Sequence, residues 1–334
     1  MKEKQRNLQL YIPVYSIAIS IYIFAGIIKP IFFTWNNNVN LFTRVTPLIF
    51  AGMAQTFVIL TGGIDLSIGS IIGLTSVLAV SLPFIDKPLN IVMWIFIPPL
   101  VGLSMGLING LIISKGRFPP LIVTLATGAI FQGIALFIMP TPGGKVSLSI
   151  ARIVTGTMLK IPNPLIIFLV FSYIFHLILR RTEFGRSIYA IGGNEAIAHE
   201  SGILCSKIKI WAYGVSGLLG AFAGMFISIW IVSADPLIGE PYIMNSIAVA
   251  ILSGTALSGG KGGVTGIIGG AYIYLLINNI LNLLGISTFY QFIVKGLILI
   301  LALTISSSGI IFNIRSILRR LFFLKTKSIE KMGE

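Results

Sequence analysis

Charge is scarce in this 334-residue chain: Asp, Glu, Lys and Arg together make up 10% of it, against roughly 25% in soluble domains. That scarcity excludes a soluble globular protein. With 55% hydrophobic residues and a mean hydropathy of +0.96, the chain reads as an integral membrane protein. Acidic residues are rarest, ten against 24 Lys and Arg. The single cysteine, Cys205, excludes a disulfide framework and any cysteine-built metal or iron–sulfur site, and His176 and His199 lack metal-ligand spacing. No metal site and no catalytic residue are therefore expected, because neither histidine is paired in sequence with a plausible nucleophile. The phosphate-binding pattern G-x-x-x-x-G-K-[ST] is also missing: Lys145 is followed by Val146 and Lys261 by Gly262. Any ATP must be hydrolysed on another polypeptide.

What is abundant is apolar sequence in long runs. Ten candidate spans fall at about 11–28, 42–60, 66–83, 90–113, 118–138, 163–180, 208–232, 243–258, 264–284 and 289–313. The expected fold class is all-α, a polytopic membrane protein of about ten transmembrane helices forming one domain over 1–334. The net charge of +14 does not indicate a nucleic-acid partner, because the basic residues lie between the apolar runs and not on a solvated face. They report orientation. With the N-terminus inside, the inner segments hold 17 of the 24 Lys and Arg, the outer segments hold six, and Lys295 lies within the last run. That asymmetry places both termini in the cytoplasm. Met1 to Arg6 precede no small-residue cleavage site, so the first run is read as a retained span. The segments least sure to span are 42–83, where a Gly-rich break could lie at membrane depth, and the short 243–258.

Two loops are long. Met139 to Pro162 falls outside and carries Pro140, Pro142, Gly143 and Gly144, the composition of a segment that turns back along the outer face with room for an interfacial helix. The stretch 180–209 falls inside and is the most polar internal segment, with Glu183, Glu195 and Glu200 among its charges, so a soluble partner could dock there. Gly62, Gly63, Gly69 and Gly73 recur at an offset of 197 as Gly259, Gly260, Gly266 and Gly270. Duplicated, Gly-interrupted helices belong to transporters, and here both breaks face the same side, which makes the repeat parallel.

One acid, Asp65, lies between two apolar runs with no basic residue nearby, in Thr61-Gly-Gly-Ile-Asp-Leu-Ser-Ile-Gly-Ser70. An ionisable group at that depth points to function. It is equally typed to cap the helix that follows the Gly62-Gly63 break, by accepting free backbone N–H groups. Both roles stay open. Gln55, Thr56, Ser67, Asn109, Thr124, Thr127, Gln132, Asn278, Asn279 and Asn282 are polar within apolar surroundings and either join helices or line an aqueous path. Of these, Gln55, Asp65, Ser67, Asn109, Thr124, Asn278, Asn279 and Asn282 are the candidates for a translocation path. A path of this neutral character suits a hydroxyl-rich, uncharged solute better than a metal cation or phosphate.

The motif at 61–70, then Gly185-Arg-Ser-Ile-Tyr-Ala-Ile-Gly-Gly-Asn-Glu195 running on to Ser201-Gly-Ile203, and finally Gly259-Gly-Lys-Gly-Gly263, resemble in order and spacing the membrane permease of ribose-type ABC importers. That family includes permeases for ribose, xylose, arabinose, galactose, inositol and autoinducer-2. The resemblance runs from about 40 to 305. It implies import of a sugar or sugar-like solute by alternating access, with two permease subunits in the plasma membrane of a prokaryote. It further implies two cytoplasmic ATPase subunits that bind ATP and Mg, and a periplasmic or surface-tethered binding protein. It places the short coupling helix that meets the ATPase within 185–203, where Gly185, Arg186, Ala190, Gly192, Gly193, Asn194, Glu195, Ser201 and Gly202 are the coupling candidates. Asn194 is typed to cap a helix from Glu195 to Ser201, and Arg186 and Glu195 are candidates for polar contacts with the ATPase. One departure stands out: many ribose-type permeases carry acids where this chain has Ile243 and Asn245, which leaves the identity of the second permease, identical or paralogous, open. Asp235 and Glu240 lie in an outer loop and either cap the next helix or meet the binding protein. The competing reading is a proton-coupled secondary transporter of a small polar solute using Asp65.

Overall fold

The computed structural model describes residues 2–81 and 88–307. Compactness divides the chain into two units, Met1–Ser287 and Thr288–Glu334. The second is, in its described part, one helix, Thr288–Ser307 (α13). The first contains Lys2–Ile28 (α1), Trp35–Leu60 (α2), Ile68–Ser81 (α3), Pro88–Gly116 (α4), Pro120–Ile138 (α5), Leu148–Thr155 (α6), Asn163–Arg181 (α7), Glu183–Gly193 (α8), Glu195–Glu200 (α9), Cys205–Ile231 (α10), Glu240–Leu252 (α11) and Ile267–Leu283 (α12).

Each of the ten apolar runs contains a helix, but they are not equivalent. Among the described residues seven helical stretches are long and apolar enough to cross a bilayer, in α1, α2, α4, α5, α7, α10 and Val264–Leu283. α3 and α11 have 14 and 13 residues. At 1.5 Å per residue each reaches about 20 Å, short of a hydrocarbon layer of about 30 Å. The last run, 289–313, is described as far as Ser307.

Burial sorts the helices into core and periphery. α2 is buried continuously from Val45 to Leu60, and α10 through most of Ala212–Ile229. α5 instead exposes Leu121, Ile122, Leu125, Ile130, Ile134 and Phe137, the apolar outer face that hydrocarbon requires. α4 and α10 approach through small residues: a Cβ on Gly102 would strike the Gly217 carbonyl, one on Gly106 the Tyr213 carbonyl, and one on Gly110 the backbone of Ile210. Spacing glycines by four keeps them on one helix face, so the two backbones pack directly on one another. Further along α10, Gly220 receives Ile68 and Ile71 of α3, and Gly224 receives the backbone at Ile72.

The two short helices start together. Gly239, just before α11, abuts the backbone of Gly69 at the start of α3, and neither has room for a side chain. From there α3 follows α10 toward Ile231, whereas α11 runs the other way, ending in the second glycine break beside α8. Helix, Gly-Gly break, helix thus occurs twice at the offset of 197. Gly62 and Gly259 have the same left-handed backbone, φ +83° and +84°, which only glycine adopts freely. The Gly260 N–H donates to the Leu60 carbonyl at 3.1 Å. Both breaks therefore lie at the same end of the unit, as a parallel repeat requires.

The long loop 139–162 is folded. Gly143 and Ala234 exchange backbone hydrogen bonds at 2.9 and 2.8 Å. α6 buries Ala151 and exposes Leu148 and Ile153, and Thr157–Met158 (β1) pairs antiparallel with Ile161–Pro162 (β2).

Candidate functional site

After α2 ends at Leu60 the chain turns at Gly62 and climbs in irregular form to α3. Ser216, which faces this segment, lies about 16 Å into the roughly 40 Å length of α10. Non-helical backbone at such a depth is tolerated only where protein satisfies its polar groups. Neighbouring side chains do so. The Gln55 amide, in the orientation its partners require, donates to the Asp65 carbonyl at 3.1 Å and accepts the Asp65 N–H at 3.2 Å. The Leu66 N–H donates to Thr124 Oγ1 at 3.1 Å.

Asp65 is fully buried. Its Oδ1 accepts the Ser67 N–H at 2.9 Å and the Ser67 hydroxyl at 2.6 Å, while Oδ2 accepts the Ser216 hydroxyl at 2.9 Å. Asn109 Nδ2 donates to Ser67 Oγ at 2.7 Å. The carboxylate therefore ties down the turn at Ser67 that leads into α3, and it also joins this turn to α10 and, through Ser67, to α4. Five of the eight path candidates, Gln55, Asp65, Ser67, Asn109 and Thr124, converge on this one knot. Asn109 Oδ1 and the Tyr213 hydroxyl are buried beside it without a partner. A cavity of about 30 Å³, room enough for water, adjoins Gly62, Gly63, Tyr213 and Lys209.

The other three path candidates are elsewhere, on α12. Asn278 donates to the Tyr274 carbonyl at 2.7 Å, Asn279 to Asn37 Oδ1 at 3.5 Å, and Asn282 is exposed. Asn245, at the position of the family departure, accepts the Tyr274 hydroxyl at 2.5 Å. Asp235 caps its own turn, accepting the Leu237 N–H at 2.8 Å, and Glu240 opens α11 exposed to its surroundings.

The second break is gripped from three sides. The Tyr189 hydroxyl of α8 donates to the Gly262 carbonyl at 2.9 Å, Tyr15 of α1 donates to the Thr265 carbonyl at 2.6 Å, and His176 of α7 shares a 2.9 Å hydrogen bond with the Thr265 hydroxyl. Arg180 of α7 sits over the Tyr189 ring, 5.5 Å from its centre. Burial pushes the Tyr189 hydroxyl up to about 12.

The coupling candidates form a helical corner at this same end. Thr182 caps α8 by accepting the Gly185 N–H at 3.1 Å, and Gly185 fits only because its missing side chain would strike the carbonyls of Ile178 and Leu179. Asn194 caps α9, its Oδ1 accepting the Ile197 N–H at 3.1 Å. Gly192 packs against the Leu60 carbonyl and the Gly260 backbone, so α8 touches both breaks. Arg186, Ala190, Gly193, Asn194, Glu195, Ser201 and Gly202 face outward. Glu195 pairs with Lys209 of α10 at 2.7 Å, and Arg186 donates to the Arg181 carbonyl at 3.4 Å. Ile197 and Leu204, 60% and 69% exposed, add an apolar element to the face. Sequence reasoning missed these two, together with Ser216 and Tyr189. Ser216 in an apolar run carries no signal of its own, and Tyr189 was hidden inside a motif read for its glycines. No group of three His, Cys, Asp or Glu side chains suited to a metal converges among the described residues.

Membrane-length helices, two glycine-broken elements and a buried carboxylate knot define a polytopic α-helical membrane protein of the interrupted-helix kind. Residues 37–303 match the family described as branched-chain amino acid transport system / permease component, and the chain belongs to it. The ribose import permease protein RbsC of Haemophilus influenzae is 40% identical over 286 residues, 83% of this chain and 87% of that one. RbsC of Bacillus subtilis is 39% identical over 283 residues, 84% and 87% of the two chains. The D-allose transport system permease protein AlsC of Escherichia coli is 33% identical over 296 residues, 86% and 89%. These are relatives of the ribose type that the three motifs resemble. No solved structure matches the chain.

Proposed function

We propose that this chain is the translocation subunit of an ATP-driven importer of ribose or a closely related sugar. It works as one permease domain beside a second permease, identical or paralogous, with both termini in the cytoplasm of a prokaryote. ATP and Mg belong to separate ATPase subunits, and a sugar-binding protein delivers the solute from the other side. The observation that carries this reading is the corner α8–α9. Its outer face exposes Ile197, Leu204 and the polar caps, while its inner face touches both helix breaks. A cytoplasmic motor bound there would push on the two places where the membrane helices are interrupted. Alternating access then follows as a two-state repacking of the breaks that the bound ATPase biases.

The sugar class comes from the ribose and D-allose relatives, the first of them 40% identical over most of both chains. The neutral polar side chains Asn278, Asn279 and Asn282 of α12, apart from the buried knot, agree with an uncharged, hydroxyl-rich solute. The proton-coupled alternative would use Asp65, whose carboxylate instead accepts three hydrogen bonds, two from Ser67 and one from Ser216 of α10. Vesicles carrying this chain with its ATPase and binding protein test both. Stimulation of ATP hydrolysis by sugar-loaded binding protein, across pentoses, hexoses and autoinducer-2, is expected with ribose or allose among the active sugars. Uptake that survives ATP depletion under an imposed proton gradient would overturn the reading.

A further inference from the structure

The loop between α11 and α12 turns on Gly259, Gly260, Gly262 and Gly263, all at positive φ, and closes on itself where the Ala256 N–H donates to the Lys261 carbonyl and the Gly259 N–H to the Ala256 carbonyl, both at 3.0 Å. Its position is set by the groups that grip it, and they divide it in two. Upstream, Gly262 is bonded to Tyr189 of α8, and Gly260 is bonded to Leu60 and packed on Gly192. Downstream, Thr265 is bonded to Tyr15 of α1 and His176 of α7. Gly263 and Val264 lie between the two attachments.

We propose that Tyr189 is the positioning residue that makes the upstream half of this loop move with α8, with Gly263-Val264 as the hinge. The inference rests on reading α8–α9 as the element on which the ATPase docks. The hydroxyl reaches the loop at 2.9 Å, and Arg180 over the ring keeps the side chain aimed there from α7. When α8 shifts, Gly262 follows, and the Gly260 N–H draws on the Leu60 carbonyl, so the first break receives the same displacement. Gly192 alone supplies only a push. The Tyr189 hydrogen bond lets α8 also pull, which a cycle that returns to its starting state requires.

Removing one net hydrogen bond changes the population of the attached arrangement by about fivefold. Tyr189→Phe deletes the hydroxyl and keeps the ring on Arg180. In the full chain, hydrogen exchange across 256–263 is expected to rise about fivefold, with the capped amide of Ile197 unchanged. In the reconstituted complex the same variant is expected to move severalfold fewer sugar molecules per ATP hydrolysed, whereas Tyr173→Phe, on the exposed face of α7, matches wild type. Wild-type exchange at 256–263 overturns the proposal, and so does raised exchange with unchanged sugar moved per ATP. A wild-type chain that never assembles with its ATPase overturns the docking reading and this proposal with it. Assembly and coupling in wild type, with Tyr189→Phe indistinguishable from it, overturn this proposal alone.

Discussion

Asp65 shows how an acidic side chain is accommodated at membrane depth without a cation among its hydrogen-bond partners. A carboxylate there is costly, and three donors offset that cost: the Ser67 N–H, the Ser67 hydroxyl and the Ser216 hydroxyl. Asp65→Ala leaves these donors unpaired together and is expected to destabilise the chain by about 2–4 kcal/mol. Asp65→Asn keeps one oxygen for Ser67 and turns an amide toward Ser216, so its loss should be less than half as large. Denaturant unfolding of the purified protein in detergent reads both. Equal losses would mean that the negative charge itself, and not the hydrogen-bond geometry, stabilises the break. The sequence alone placed Asp65 at the entry to the helix after the Gly62-Gly63 break, since an acid after Gly-Gly and before an apolar run admits few other placements, and it left capping and solute contact both open. It did not show that Gln55, Ser67, Asn109 and Thr124 share one knot, because helix-to-helix distances leave no trace in spacing along a chain.

At the scale of elements, close approach decides which helices form the core. The face of α4 carrying Gly102, Gly106 and Gly110 meets the backbone of α10, and a side chain there must separate the two helices. Gly106→Leu is expected to cost more than about 3 kcal/mol and to abolish monodisperse protein in size-exclusion chromatography. At Gly133, exposed on α5, an added Cβ meets nothing within 4 Å, and Gly133→Leu should leave the profile unchanged. A matched loss in both variants would show that helix glycines matter here through something other than contact between α4 and α10. Periodicity and apolarity placed each of these helices in an apolar run, with α3 and α11 falling in the segments named least sure to span. The irregular residues beside them, such as 253–258, are as apolar as a helix terminus, and only the turn at Gly254, φ +89°, ends α11 early. Capping was more legible: Asn194 caps α9 because its side chain can reach the Ile197 N–H, and Asn194→Ala should cost about 1 kcal/mol, visible as faster exchange confined to 195–200.

Orientation belongs to the whole molecule, and the proposed function depends on it. The charge count assigns the segment 180–209, which holds α8 and α9, to the side rich in Lys and Arg, and the loop 139–162 with its hairpin to the opposite side. Excess Lys and Arg stay on the cytoplasmic side during insertion, so α8–α9 should face the compartment that holds ATP. Cysteine accessibility tests this after Cys205→Ser removes the one native thiol. With Lys145→Cys in the long loop, an impermeant thiol reagent should label intact cells. With Lys207→Cys, exposed at the start of α10, labelling should require permeabilisation. The reverse pattern would put the corner that touches both breaks outside the cell, where no ATPase could reach it, and the importer reading would fall even if the family assignment stood. Labelling of both from outside would mean an even number of crossings between them, and α7 or the short α6 would have to be reassigned before any mechanism could be built on the two breaks.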